Sequence, residues 1–200
     1  GASDDKLALA LGVEVALAVR VKESILSAFP KLAKMFDNLQ DRAVRLGYAE
    51  NAFSRRRYLT GLRSERRAIV NEALRKALNT PIQSTAADIT LTAATRLEKR
   101  LVKLGLRAGL ELEIHDDLTV ETGYKDCYSV IVNCRKAMES VKMPGCPEMI
   151  FEAEQKIGSH LGSVRKVDDA VLEMARSDPK RLYLACREDL KLRPEDYAKF

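Results

Sequence analysis

Between residues 111 and 121 the chain reads Glu-Leu-Glu-Ile-His-Asp-Asp-Leu-Thr-Val-Glu, and no other stretch narrows the available folds as much. Leu112 and Ile114 alternate with Glu111 and Glu113; Leu118 and Val120 alternate with Thr119 and Glu121. Two period-two runs across a short polar break predict a β-hairpin. Its turn, His115-Asp116-Asp117, sets two carboxylates and an imidazole at one tip. Adjacent carboxylates repel, and a divalent cation relieves them. An Asx turn, in which the aspartate bonds its own backbone, explains the same residues without a ligand. Both readings stand on this stretch alone.

The charge is split along the chain. Residues 1–110 carry 20 Lys/Arg against 11 Asp/Glu, a net +9, whereas residues 111–200 carry 14 against 18, a net −4. A basic first half suits contact with a polyanion, and an acidic second half suits a cation. With 46% hydrophobic and 32% charged residues the chain is globular rather than disordered. It has no apolar run of membrane-spanning length and no signal peptide, so a cytoplasmic setting is expected. Gly1 in place of Met suggests a processed, cleaved or cloned piece. Cys127, Cys134, Cys146 and Cys186 form no Cys-x-x-Cys, so free thiols in a reducing compartment are expected over a structural zinc with His115 or His160.

The first 46 residues read as helices, capped at Ser3 or Asp4, interrupted at Gly12, restarted near Glu14, started again at Pro30 and closed by Gly47. Leu32, Met35, Phe36, Leu39 and Val44 have the spacing of a core-facing stripe. Gly47 to Leu62 reads as a ribbon or loop carrying Arg55-Arg56-Arg57-Tyr58. Three consecutive guanidiniums repel unless an anion meets them; the ordinary alternative is a solvated face. Thr80-Pro81-Ile82-Gln83 has the form of an N-cap, a proline at the first helical position and a capping-box glutamine. One helix should therefore end near Leu78 and a second run from Pro81 to Gly105. Another helix is expected over about 124–141, a strand at 149–154 able to join the hairpin, and two short helices over about 167–176 and 179–190. The order predicts an α+β fold with an antiparallel sheet packed on long helices.

Several blocks carry a resemblance. Arg75, Asn79, Pro81 and Gln83, followed by Ser84-Thr85-Ala-Ala-Asp88, resemble the segment that precedes the last palm motif of family A, DNA polymerase I-like enzymes. Ile114-His115-Asp116-Asp117 is similar to that family's motif C, usually Val-His-Asp-Glu. Gly47-Tyr48 with Ser54-Arg55-Arg56 resembles its Gly-Tyr…Gly-Arg-Arg segment, and Gly1-Ala2-Ser3 resembles the residues just after the fingers-helix tyrosine. Ordered blocks are far more specific together than any one alone. Motif A and the motif B helix have no counterpart, so the resemblance is to a C-terminal portion, with a phage-type origin expected.

The resemblance implies a nucleotidyl transfer from dNTP to a primer 3′-hydroxyl, assisted by two Mg²⁺ ions. It makes Asp116 a metal ligand, Asp117 an auxiliary carboxylate and His115 a contact to the primer terminus, these three forming the catalytic set. It assigns Arg75, Asn79 and Gln83 to the minor groove near the primer end, and Arg55 and Arg56 to backbone phosphates. It implies primer–template DNA, dNTP and a second polypeptide or segment carrying motif A as partners. Residues 1–62 would be fingers and connecting ribbon, 63–162 palm, and 163–200 a helical extension packed back on the palm or docked on a partner. A single-subunit RNA polymerase fragment and a non-catalytic DNA-binding module are the competing readings.

Overall fold

The protein is described here by a computed structural model whose described residues are 3–188. It is an α+β chain in two compact units, one of residues 1–88 and one of residues 89–200. In the first, helix α1 (Asp4–Leu11) starts at Ser3, whose hydroxyl accepts from the Lys6 amide, and ends at Gly12 with φ 65°. Helix α2 is Val15–Ala28, and α3 is Pro30–Leu46, closed by Gly47 at φ 78°. These boundaries follow the proline-first, glycine-last asymmetry of helix ends.

The expected core stripe of α3 forms only in part: Leu32, Phe36 and Leu39 are half-buried rather than buried. Ala43 is its one buried side chain, Met35 and Val44 are exposed, and α2 buries only Ala18. The 3.6-residue spacing was present, but amphipathicity records a face, not what covers it.

Strands β1 (Tyr48–Glu50) and β2 (Arg56–Tyr58) make the expected ribbon, with Tyr48 opposite Tyr58 and Glu50 opposite Arg56. A 3₁₀ turn at Thr60–Arg63 leads to α4, Arg67–Lys103. Here the sequence reading needs correction: Pro81 lies inside one continuous 37-residue helix. Thr80 is not an N-cap but a buried residue within that helix, so Gln83 closes no capping box. Proline leaves the i−4 carbonyl without its amide donor. The orphaned group is the Ala77 carbonyl; one turn on, the Thr85 hydroxyl donates to Pro81's own carbonyl at 2.5 Å. The core of this unit is Ala43, Ala49, Leu59 and Ala77.

In the second unit β3 (Ala108–Ile114) pairs with β4 (Asp117–Thr122), bulging at Glu111. Leu97 and Leu101 of α4 pack with Val130 and Ala137 of α5 (Cys127–Glu139), with Leu106, Ala108 and Val120 against them. Residues 149–154 are not a strand. Instead β5 (Lys156–His160) pairs with β6 (Ser163–Lys166), so the strands join two by two in three separate ribbons. Gly158 permits this approach: a Cβ there would lie 2.0 Å from the Ser163 carbonyl oxygen. Helices α6 (Asp169–Ser177) and α7 (Pro179–Glu188) pack on α5 through Val167, Ala175, Leu182 and Cys186, with Leu172 and Met174 half-buried beside them. Leu184 is exposed, and Leu190 lies outside the described residues. No described helix is long and apolar enough to cross a membrane.

Candidate functional site

The continuity of α4 has a direct consequence for Arg75, Asn79 and Gln83. Four-residue spacing in an unbroken helix advances about 40° each time, so the three span roughly 80° of arc. Arg75 and Gln83 are exposed and Asn79 is half-buried. Thr80, Ser84 and Asp88 lie roughly 100–180° around the helix from the middle of that row. It is this far side that the ribbon grips.

Asn51 is the centre of the grip and is 6% exposed. Its Nδ2 donates to Ser84 Oγ at 2.8 Å and to Asp88 Oδ2 at 2.6 Å. Its Oδ1 accepts from the amides of Phe53 and Arg55, at 3.0 and 2.9 Å. The Ala52 amide donates to Thr85 Oγ1. Between these bonds Ser54 sits at φ 63°, a left-handed conformation that glycine adopts without penalty. That accounts for the glycine written at this place in the Gly-Arg-Arg pattern.

The three consecutive arginines all find partners inside the chain. Arg55 Nη2 lies 2.6 Å from Asp88 Oδ1, with 63% of the Arg55 side chain still exposed. Arg56 Nε donates to Glu50 at 2.9 Å, and its guanidinium lies 4.7 Å from the centre of the Tyr48 ring. Glu50 also accepts from Arg42, and the Arg56 bond above all holds its carboxyl below the usual range. Arg57 reaches Thr80 Oγ1 at 3.5 Å. The anion that three guanidiniums require is supplied in part by Asp88 and Glu50. Sequence reasoning assigned neither a role: Asp88 is 37 residues from Asn51, and Glu50 meets Arg56 only once the two short strands pair.

The hairpin tip is built differently. Ile114 pairs with Asp117, leaving His115-Asp116 as a two-residue turn with His115 at φ 59°. His tolerates this region better than most residues with a Cβ, and such outliers gather at functional sites. His115, Asp116 and Asp117 are all exposed, and their neighbours Leu112 and Ile114 are 43% and 55% exposed. No described group of three His, Cys, Asp or Glu side chains could hold a metal. The turn therefore offers two carboxylates, with no third ligating side chain beside them among the described residues. Elsewhere in this unit, burial pushes the Cys134 thiol up to about 11 and raises Cys127, so both stay protonated and are poor metal ligands at neutral pH.

Against this geometry, a family model described as DNA polymerase family A matches residues 1–162, taking in the ribbon, the α4 row and the carboxylate turn. The chain belongs to DNA polymerase family A. The thermostable DNA polymerase I of Thermus thermophilus is 33% identical over 141 residues, 70% of this chain and 17% of that protein. The DNA polymerase I of Geobacillus stearothermophilus is 37% identical over 121 residues, 60% of this chain and 14% of that protein. A solved structure of the POL domain of Pol1 from M. smegmatis, in complex with DNA primer-template and dNTP, superposes with a TM-score of 0.68 at 29% identity. It covers 76% of this chain, and the chain spans 27% of it. This family A chain thus corresponds to less than a fifth of the curated relatives' length.

Proposed function

We propose that the chain is the C-terminal palm portion, with part of the fingers, of a template-directed DNA polymerase that joins dNTP to a primer 3′-hydroxyl. The observation that carries this reading is one family match that takes in ribbon, row and carboxylate turn in order. Primer–template DNA and dNTP, bound by the M. smegmatis relative, are the proposed partners here.

Asp116 and Asp117 would hold Mg²⁺. The donor chemistry fits, because carboxylate oxygens suit a hard cation and neither side chain is drawn into a described ion pair or hydrogen bond. A pair of such ions supplies activation of the attacking hydroxyl and neutralisation of the triphosphate. Asp117 is one methylene shorter than the family's usual glutamate, so Asp116 is the principal ligand. His115, on the same turn, donates to the primer-terminal phosphate or sugar. Arg75, Asn79 and Gln83 donate to minor-groove acceptors shared by every correct base pair, which checks pair shape without reading sequence. Arg55 and Arg56 hold backbone phosphates through the N–H groups their carboxylate partners leave over.

Two carboxylates are too few for a two-metal site, so a segment or second polypeptide bearing the motif A aspartate and the motif B helix completes it. Primer extension tests this. The purified 200-residue chain should extend nothing at any Mg²⁺ concentration, and addition of a polypeptide bearing those motifs should restore extension. Extension by the chain alone would overturn the need for a partner. Silence after complementation, with DNA still bound, would leave a non-catalytic DNA-binding module.

A further inference from the structure

We infer that Asp88 is a positioning residue for DNA binding: it fixes Arg55 so that the guanidinium's remaining donors face a backbone phosphate. This rests on the reading of Arg55 as a phosphate contact. Asp88 is 7% exposed and reaches the ribbon with both oxygens. Oδ2 accepts from Asn51 Nδ2 and Oδ1 meets Arg55 Nη2, each at 2.6 Å. Asn51 in turn accepts from the Arg55 amide, so one network holds that residue by backbone and by side chain. A guanidinium has five N–H donors in a rigid planar fork. One edge meets Asp88, while 63% of the Arg55 side chain remains open to solvent. A long side chain whose orientation is already set loses less conformational entropy on binding.

Net charge alone predicts the opposite consequence. Removing a carboxylate from a basic chain strengthens its attraction for a polyanion. Positioning predicts that removing it weakens binding. The sign of the effect therefore separates the two.

The experiment is binding of a fluorescent primer–template duplex by the full 200-residue chain from about 50 to 200 mM salt, with melting temperature recorded. Arg55→Ala should weaken binding at least about threefold and lower the log–log salt slope by about 0.7–0.9, the equivalent of one phosphate contact. Asp88→Asn should weaken binding in the same direction and lower the slope likewise. In the Arg55→Ala background Asp88→Asn should add nothing, since Asp88 acts through Arg55. Arg55→Lys keeps the charge but loses the fork, leaves the fold intact at this exposed site, and should bind as poorly as Arg55→Ala. Undiminished binding by Arg55→Ala removes the phosphate reading and this inference with it. A loss in Arg55→Ala alongside tighter or unchanged binding by Asp88→Asn overturns the inference and leaves Arg55 as a contact. An equal further loss from Asp88→Asn in the Arg55→Ala background overturns it as well; should Asp88→Asn fail to fold, wild-type affinity in Arg55→Lys overturns it.

Discussion

The ribbon on α4 and the tip of the β3–β4 hairpin both carry charged residues in tight turns, and both hold one residue at positive φ. They are stabilised in contrasting ways. The ribbon is over-determined: Asn51 alone makes four hydrogen bonds, and Arg55 and Arg56 each meet a carboxylate. The tip is held by its backbone pairing, while His115, Asp116 and Asp117 stand in solvent. A surface that grips a ligand of constant shape gains from advance construction, because the ordering cost is met during folding. On the proposed reading the tip stays open to solvent, which screens the two adjacent carboxylates until a cation and its other ligands arrive.

Substitutions at the two places should therefore separate stability from activity. Asp116→Asn in the complemented polymerase should lower single-turnover extension at least about a thousandfold, on the order of 4 kcal/mol of transition-state stabilisation. DNA affinity and melting temperature should stay at wild-type values, and Asp117→Asn should be milder. Equal losses would make Asp117 as important a ligand as Asp116. Asn51→Ala should do the reverse, costing about 2–4 kcal/mol by denaturant titration, because it strands buried partners. A loss under about 0.5 kcal/mol would mean that the ribbon is held by its strands alone.

The row on α4 sits between these extremes. Gln83→Ala touches an exposed side chain and closes no capping box, so melting should be unchanged. Extension from a matched primer should slow about tenfold for all four template bases, with Arg75→Ala slower still because its donor is charged. Wild-type rates in both would return the row to solvent. Ser54→Gly, by relieving φ 63°, should stabilise the ribbon by about 0.5–1 kcal/mol. A stability decrease would show that the serine is held by something other than backbone geometry. The smallest effect is in acid. The Glu50 carboxyl is depressed chiefly by the Arg56 bond, so its contribution is complete above the ordinary carboxylate range and fades as pH falls through its lower folded value. Glu50→Gln should flatten melting temperature against pH there, and an unchanged slope would assign the acid sensitivity to other carboxylates.

The sequence disclosed its local signals and concealed its partners. Gly12, Pro30 and Gly47 marked helix ends correctly because a cap acts within one turn. The hairpin was legible because alternation and a polar turn coincide at 111–121. Pro81 misled: a proline preceded by threonine and followed two residues later by glutamine is locally a helix start, yet α4 runs through it unbroken. Residues 149–154 alternate without forming a strand, whereas the real hairpin at 156–166 contains glycines that weaken the pattern while permitting its close contact. At the site, Arg75, Asn79 and Gln83 were singled out by the family resemblance, and the unbroken α4 is what sets them within one arc of its surface. That Arg55 has an acidic partner was not legible, since Asp88 is brought to the ribbon only by the fold.

The 14 residues of α2 bury a single side chain, Ala18. A helix of that length held by so little core lies close to the limit at which an isolated peptide helix persists in water. Its amides are therefore expected to exchange with deuterium by local fraying, at rates governed by the coil equilibrium of the segment. The Asn51-bound amides of Phe53 and Arg55, though in a loop, should exchange only when the ribbon itself comes away.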